Sequence, residues 1–263
     1  MRATMRDGIN LHVEVTGAGP ALLFVHGYPI SGRMWDEAAA RLSGEFRCIV
    51  PDLRGFGRSE ATAHASIEMY SDDLAAVLDG AEVRGSVPVI GLSMGGIIAM
   101  EFFRRHRARV SALVLVDTRA LPETPEGRVR REEIAQTVER ENSARAAVEA
   151  LRDKILSPAA PEAMKRRWME EMMKSPPAGV AAGARALAGR PDLRPLLPRI
   201  DVPTLVVVGE DDQITPPSLM REMHEAIPGS RFVVIPGAGH LTPVEKPGEF
   251  VDALRGFIVG MRT

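Results

Sequence analysis

At 263 residues and 45% hydrophobic content, the chain is long enough to bury a sizeable core, so a small stapled module is excluded. Its 33 basic and 35 acidic residues leave a formal net charge of -2, which provides no electrostatic footprint for nucleic acid or an anionic membrane. Cys48 is the single cysteine, so an intrachain disulfide and a cysteine-based zinc cluster are both ruled out.

In chain order, Asp7-Gly8 lies ahead of the alternating segment Ile9 to Val15 and reads as the tight two-residue turn of an N-terminal β-hairpin. The unbroken apolar run Ala21 to Val25 reads as a central strand covered on both faces, ending in His26-Gly27-Tyr28-Pro29. Ser31 is placed to cap a helix running to about Leu42, and Phe46 to Val50 form the next buried strand. That strand leads through the glycine-spaced loop Asp52 to Ser59 to a helix over roughly Ser66 to Leu78. Val87 to Leu92 is again a β-branched apolar run, and small, helix-compatible residues follow Ser93. Val110 to Val116 is a further strand, and the alternation argues for a mostly parallel sheet with helices on both faces.

Composition changes at Leu121-Pro122-Glu123-Thr124-Pro125, and to about Arg190 the chain is rich in helix formers. Three or four inserted helices are expected, giving a core of residues 1–120 and 191–263 and an insertion of 121–190. The insertion's charges are mixed in sign and read as solvated faces. Met164, Met169, Met172 and Met173 around Trp168 suit either a pliable pocket or ordinary packing. Strands resume at Thr204 to Val208 and Arg231 to Ile235, separated by a helix ending near Ile227, and an amphipathic helix over about Val244 to Ile258 closes the pattern.

Chemistry centres on Gly91-Leu92-Ser93-Met94-Gly95, a G-x-S-x-G pattern between a strand and a helix. In such a nucleophile elbow the serine occupies a strained turn, and close backbone excludes a β-carbon at the flanking positions. Serine is a poor nucleophile without a base in reach and an acid behind the base. Ser93, Asp212 and His240 each lie just past a strand, where open α/β sheets gather groups into one crevice. Their order is serine, acid, histidine.

The chain resembles the α/β-hydrolases, through His26-Gly27-Tyr28-Pro29, Asp52 to Ser59, the serine elbow, Gly209 to Pro216 and Gly239-His240. Within that superfamily it is similar to carboxylesterases, 3-oxoadipate enol-lactonases and the cofactor-free haloperoxidase and perhydrolase group. The resemblance implies an α/β-hydrolase fold whose helical insertion caps the site. It implies His240 as general base, with His26 bracing the oxyanion loop and His12, His64, His106 and His224 elsewhere. It implies Asp212 as the acid, at the family's G-x-x-D spacing from Gly209, with Asp211 and Asp117 as competitors. The oxyanion amides expected are those of Met94 and Tyr28. The implied reaction cleaves a small-molecule ester or lactone through an acyl-serine, with no cofactor and no metal. Peroxide-dependent acyl transfer, carbon-carbon bond hydrolysis and a non-catalytic ligand-binding role are the alternatives. No stretch has signal-peptide or membrane-span character, so a cytoplasmic protein without membrane or nucleic-acid partners is expected. Self-association into a homo-oligomer stays open.

Overall fold

The chain's apolar runs become the middle of one sheet in a computed structural model that describes residues 1–5 and 7–261. The described strands are β1 (Arg2–Thr4), β2 (Asn10–Thr16), β3 (Ala21–Val25), β4 (Arg47–Pro51), β5 (Val87–Leu92), β6 (Val110–Val116), β7 (Thr204–Gly209) and β8 (Arg231–Ile235). They lie in the order β1-β2-β4-β3-β5-β6-β7-β8. β1 and β2 are antiparallel to their neighbours and every pair from β4 to β8 is parallel. Consecutive residues of β3, β6 and β7 are buried, which requires cover on both faces.

That cover comes from helices α1 (Asp36–Leu42), α2 (Ile67–Gly80), α3 (Met94–Arg105), α4 (Pro125–Glu141), α5 (Arg145–Glu149), α6 (Glu162–Met173), α7 (Pro177–Ala188), α8 (Pro217–Ala226), α9 (Thr242–Glu245) and α10 (Pro247–Val259). α3 packs on β3, β5 and β6 and against α2, whereas α1 packs with α10. Ser66 caps α2 by accepting from the Met69 amide at 3.2 Å. Among the described residues no helix is long and apolar enough to cross a membrane.

Three expected boundaries change, each for a local reason. The hairpin pairs Thr4 with Asn10, so its connection is longer than Asp7-Gly8, with Met5 N–H donating to Ile9 O at 2.8 Å. Gly8 still supplies a positive φ of 85°, within a longer loop than two residues. Ser31 precedes a 3-10 turn, Gly32–Trp35, and its side chain makes no cap, so α1 starts only at Asp36. The last helix is split at Lys246, held at φ -132° and ψ 61°, because Pro247 disfavours helical geometry in the residue before it.

Between β6 and β7 the chain builds α4 to α7, with α4 packed along α7 and Thr124 capping α4 through the Gly127 amide at 3.0 Å. α7 approaches the loop after β4 so closely that a β-carbon on Gly179 would lie 1.7 Å from Gly55 O. Ser175, just before α7, donates its hydroxyl to Pro29 O at 2.6 Å. These contacts tie the inserted helices to the loops after β3 and β4. Trp168 and Met172 are buried there, while Met173 is exposed.

The strand order reverses beside β3, with β4 on one side and β5 on the other, and Val25 pairs with Gly91. The carboxyl ends of β3 and β5 therefore open side by side, the position at which parallel α/β sheets form a crevice.

Candidate active site

Ser93 occupies the turn between β5 and α3 at φ 56° and ψ -115°, a region L-residues avoid at a cost of about 1–3 kcal/mol. Neighbouring backbone holds it there. A β-carbon on Gly95 would stand 2.2 Å from Val25 O and 2.8 Å from His26 O, and one on Gly91 would stand 2.2 Å from Gly95 O. Thr118 donates its hydroxyl to Ser93 O at 2.6 Å, and the Ser93 amide donates to Val116 O at 2.9 Å. Gly95→Ala must push apart β3 and the elbow, so we expect it to destabilise the protein by about 2–4 kcal/mol in urea unfolding. An unchanged midpoint would contradict the packing described here.

The Ser93 hydroxyl meets His240, which follows β8. Asp212, after β7, accepts from His240 Nδ1 through Oδ2 at 2.8 Å, which leaves Nε2 free to accept from Ser93 Oγ at 2.8 Å. Asp212 is itself held by three donors: the amides of Ile214 (2.7 Å) and Thr215 (2.9 Å) to Oδ1, and the Thr215 hydroxyl to Oδ2 at 2.5 Å. Burial would raise the Asp212 pKa, but the facing His240 and these hydrogen bonds outweigh it and bring the carboxyl down to about 2. The acid behind the imidazole is thus kept charged.

The two competing acids are employed elsewhere. Asp117 accepts from the amides of Gly209 (2.9 Å) and Thr242 (3.2 Å), so it ties the end of β7 to the start of α9. Complete burial, and next the charge of Asp212, push its carboxyl well above the usual carboxylate range. Asp211 accepts from the Ser157 hydroxyl at 2.5 Å and braces its loop against the inserted segment. Of the remaining histidines, His12 pairs with Glu14, His106 with Asp72 and His224 with Ser230, all away from Ser93, and His64 is exposed.

His26 is fully buried, and burial lowers its pKa. Leu53 N–H donates to His26 Nε2 at 2.9 Å, so Nδ1 carries the proton and donates to Gly27 O at 2.8 Å. This neutral imidazole locks the loop after β3 to the loop after β4. Tyr28 packs its ring edge-on to Phe56 with centroids 6.1 Å apart. The Tyr28 and Met94 amides have no acceptor among the described residues and border the cavity that Ser93 lines. The Tyr28 hydroxyl is buried without a partner among the described residues.

That cavity holds about 250 Å³ and lies between the strand ends and α4, α5 and α7. Ile97, Ile134, Leu151 and Ile155 give it an apolar wall, and the methionines around Trp168 do not line it: Met172 lies in the core, Met164 and Met169 pack against it and Met173 is exposed. Its other wall was not foreseen. Arg119, Arg130, Arg131 and Arg190 all border it with Glu123, whereas the insertion's charges read as solvated faces in the sequence. Glu123 accepts from Arg190 at 2.7 and 3.2 Å and from Arg131, and although burial opposes charge, these two arginines bring it to about 2. Among the described residues no group of three or more His, Cys, Asp or Glu side chains is disposed to hold a metal ion.

Known proteins share this architecture. A thermophilic esterase from Thermogutta terrifontis, whose structure has malate bound, is 39% identical, with a TM-score of 0.96 and full coverage of both chains. A pimeloyl-[acyl-carrier protein] methyl ester esterase from Nitrosomonas europaea is 30% identical across 92% of this chain and 97% of its own. The 3-oxoadipate enol-lactonase 1 of Acinetobacter baylyi is 26% identical across 97% of this chain and 95% of its own. A family model described as alpha/beta hydrolase fold matches residues 20–247, nearly the whole span from β3 to the start of α10, and the chain accordingly belongs to that family of hydrolases.

Proposed function

We propose that the protein hydrolyses a carboxylic ester or lactone of a small molecule through an acyl-serine intermediate. The observation that carries this reading is the unbroken hydrogen-bond chain Ser93, His240, Asp212 at the wall of a cavity. Ser93 Oγ attacks the acyl carbon as its proton moves to His240 Nε2, and the carbonyl electrons gather on an oxygen facing the Tyr28 and Met94 amides. Collapse expels the alkoxide, which takes the proton from His240. In a lactone the leaving alcohol stays tethered to the acyl chain. Water then gives a proton to His240 and attacks the acyl-serine, and the proton returns to Ser93 Oγ as the acid leaves. Asp212 supports the transient imidazolium. In this reading residues 121–190 act as a cap over residues 1–120 and 191–263. The esterase and enol-lactonase relatives support the acyl chemistry.

A fluorophosphonate that traps activated serines tests the proposal directly. We expect one adduct per chain, mapped by peptide mass spectrometry to Ser93, and parallel loss of turnover on short p-nitrophenyl esters. A chain that turns over esters with Ser93 unlabelled uses a different nucleophile. A chain that neither labels nor turns over is a ligand-binding member of the fold. Adding hydrogen peroxide during turnover separates the perhydrolase alternative, for which peracid would replace the free acid as the main product.

A further inference from the structure

The cavity beside Ser93 carries more positive charge than its own residues neutralise. Four arginines border it, of which Arg130 is exposed, against the one carboxylate of Glu123. Glu123 is already shared between Arg131 and Arg190. Arg119, half-buried, has no salt bridge among the described residues; one of its N–H groups donates to Ile214 O, leaving most of its five donors unused. Burial, with Arg190 nearby, weighs against its charge. An unpaired cation in such a place is costly unless something anionic joins it.

Resting on the hydrolase reading above, we propose that the natural substrate is an ester or lactone that also bears a carboxylate, received by Arg119. A guanidinium fork matches a carboxylate's two oxygens, and the apolar wall of Ile134, Leu151 and Ile155 accepts the carbon chain between the acid and the ester. Arg119 also holds the carbonyl of Ile214, whose amide binds Asp212, so a purely structural role has to be separated from carboxylate recognition.

The test compares monomethyl glutarate with the methyl ester of glutaramic acid, which replaces the carboxylate by a neutral amide. A second pair, the butyryl esters of glycolate and glycolamide, places the charge on the alcohol side. In the native enzyme kcat/KM should favour the charged member of at least one pair by about 10-fold or more. Arg119→Gln should bring that ratio to about 1, and Arg119→Lys should restore part of it. A native ratio of 1 or below in both pairs overturns the proposal, and so does an Arg119→Gln variant that slows both members equally, since a loop clamp alone predicts that. Calorimetric titration of Ser93→Ala with glutarate separates this result from the hydrolase reading. Saturable binding that is lost in Ser93→Ala/Arg119→Gln supports the carboxylate site even without turnover. Absence of glutarate binding, with ester hydrolysis retained in the native enzyme, removes the site and leaves the hydrolase.

Discussion

Ser93→Ala should lower kcat/KM for a short p-nitrophenyl ester by about 10⁴-fold or more, with the folded state intact. The substitution removes one oxygen from a half-buried position and leaves the elbow's glycines, the Thr118 bond to Ser93 O and the cavity walls in place. The Tyr28 and Met94 amides, the proposed oxyanion donors, remain, so a small residual rate over solvent is expected. His240→Ala should cost a comparable factor, because without Nε2 the hydroxyl has no acceptor for its proton. The pair is most informative together. Residues that act as one unit are non-additive, so Ser93→Ala/His240→Ala should be no slower than the worse single variant to within about 10-fold. Multiplicative losses would mean that the two side chains serve separate steps, and retention of a tenth of the native rate in Ser93→Ala would remove Ser93 as nucleophile. Urea unfolding of each variant shows whether the loss belongs to chemistry or to the fold.

The parts of this site that could be read from the chain are those enforced by local backbone. Gly91 announces the elbow because the approach that excludes its β-carbon comes from Gly95 O a few residues on, whereas Gly95 is excluded by Val25 O and His26 O at the end of neighbouring β3 and is legible through its place in the G-x-S-x-G pattern. Asp212 and His240 were placed by their position past β7 and β8, and parallel strands deliver such positions to one edge. The same logic could not choose among Asp117, Asp211 and Asp212, which all lie past strands. The choice depends on which carboxylate oxygen faces His240 Nδ1, and that is a property of loop closure through Thr215 and Ile214. The arginine wall was hidden for a related reason. Glu123, Arg131 and Arg190 sit in a segment of mixed sign, and such charges ordinarily face water. Here α4 lies along α7 over the strand ends, so part of that charge turns inward. Spacing along a helix says which residues share a face, but not what that face looks at. The helix expected from about Val244 to Ile258 runs across the break at Lys246, although Pro247 carries the signal for it.

Asp212→Asn should reduce kcat by about 10⁴-fold while Asp117→Asn leaves the folded enzyme within about 10-fold of the native rate. Both are buried carboxylates past neighbouring strands, but only Asp212 accepts from the imidazole. An asparagine at 212 can keep its oxygen on the Ile214 and Thr215 amides, which turns its NH₂ toward His240 Nδ1. The imidazole then takes the other tautomer and presents Nε2–H to Ser93, which cannot give its proton to an occupied nitrogen. At 117 the equivalent change disturbs the amides of Gly209 and Thr242, so its cost should fall on stability, about 1–3 kcal/mol in urea unfolding. Acid stability gives an independent reading of Asp212. Its folded pKa of about 2 lies below the ordinary 3.8, so its contribution is complete above 3.8 and is lost as pH falls from there toward 2. The native protein should therefore lose stability more steeply than Asp212→Asn over that interval, and the two curves should run parallel above about pH 5. Parallel curves throughout, or a kcat more sensitive to Asp117→Asn than to Asp212→Asn, would transfer the acid's role from Asp212 to its neighbour across the sheet.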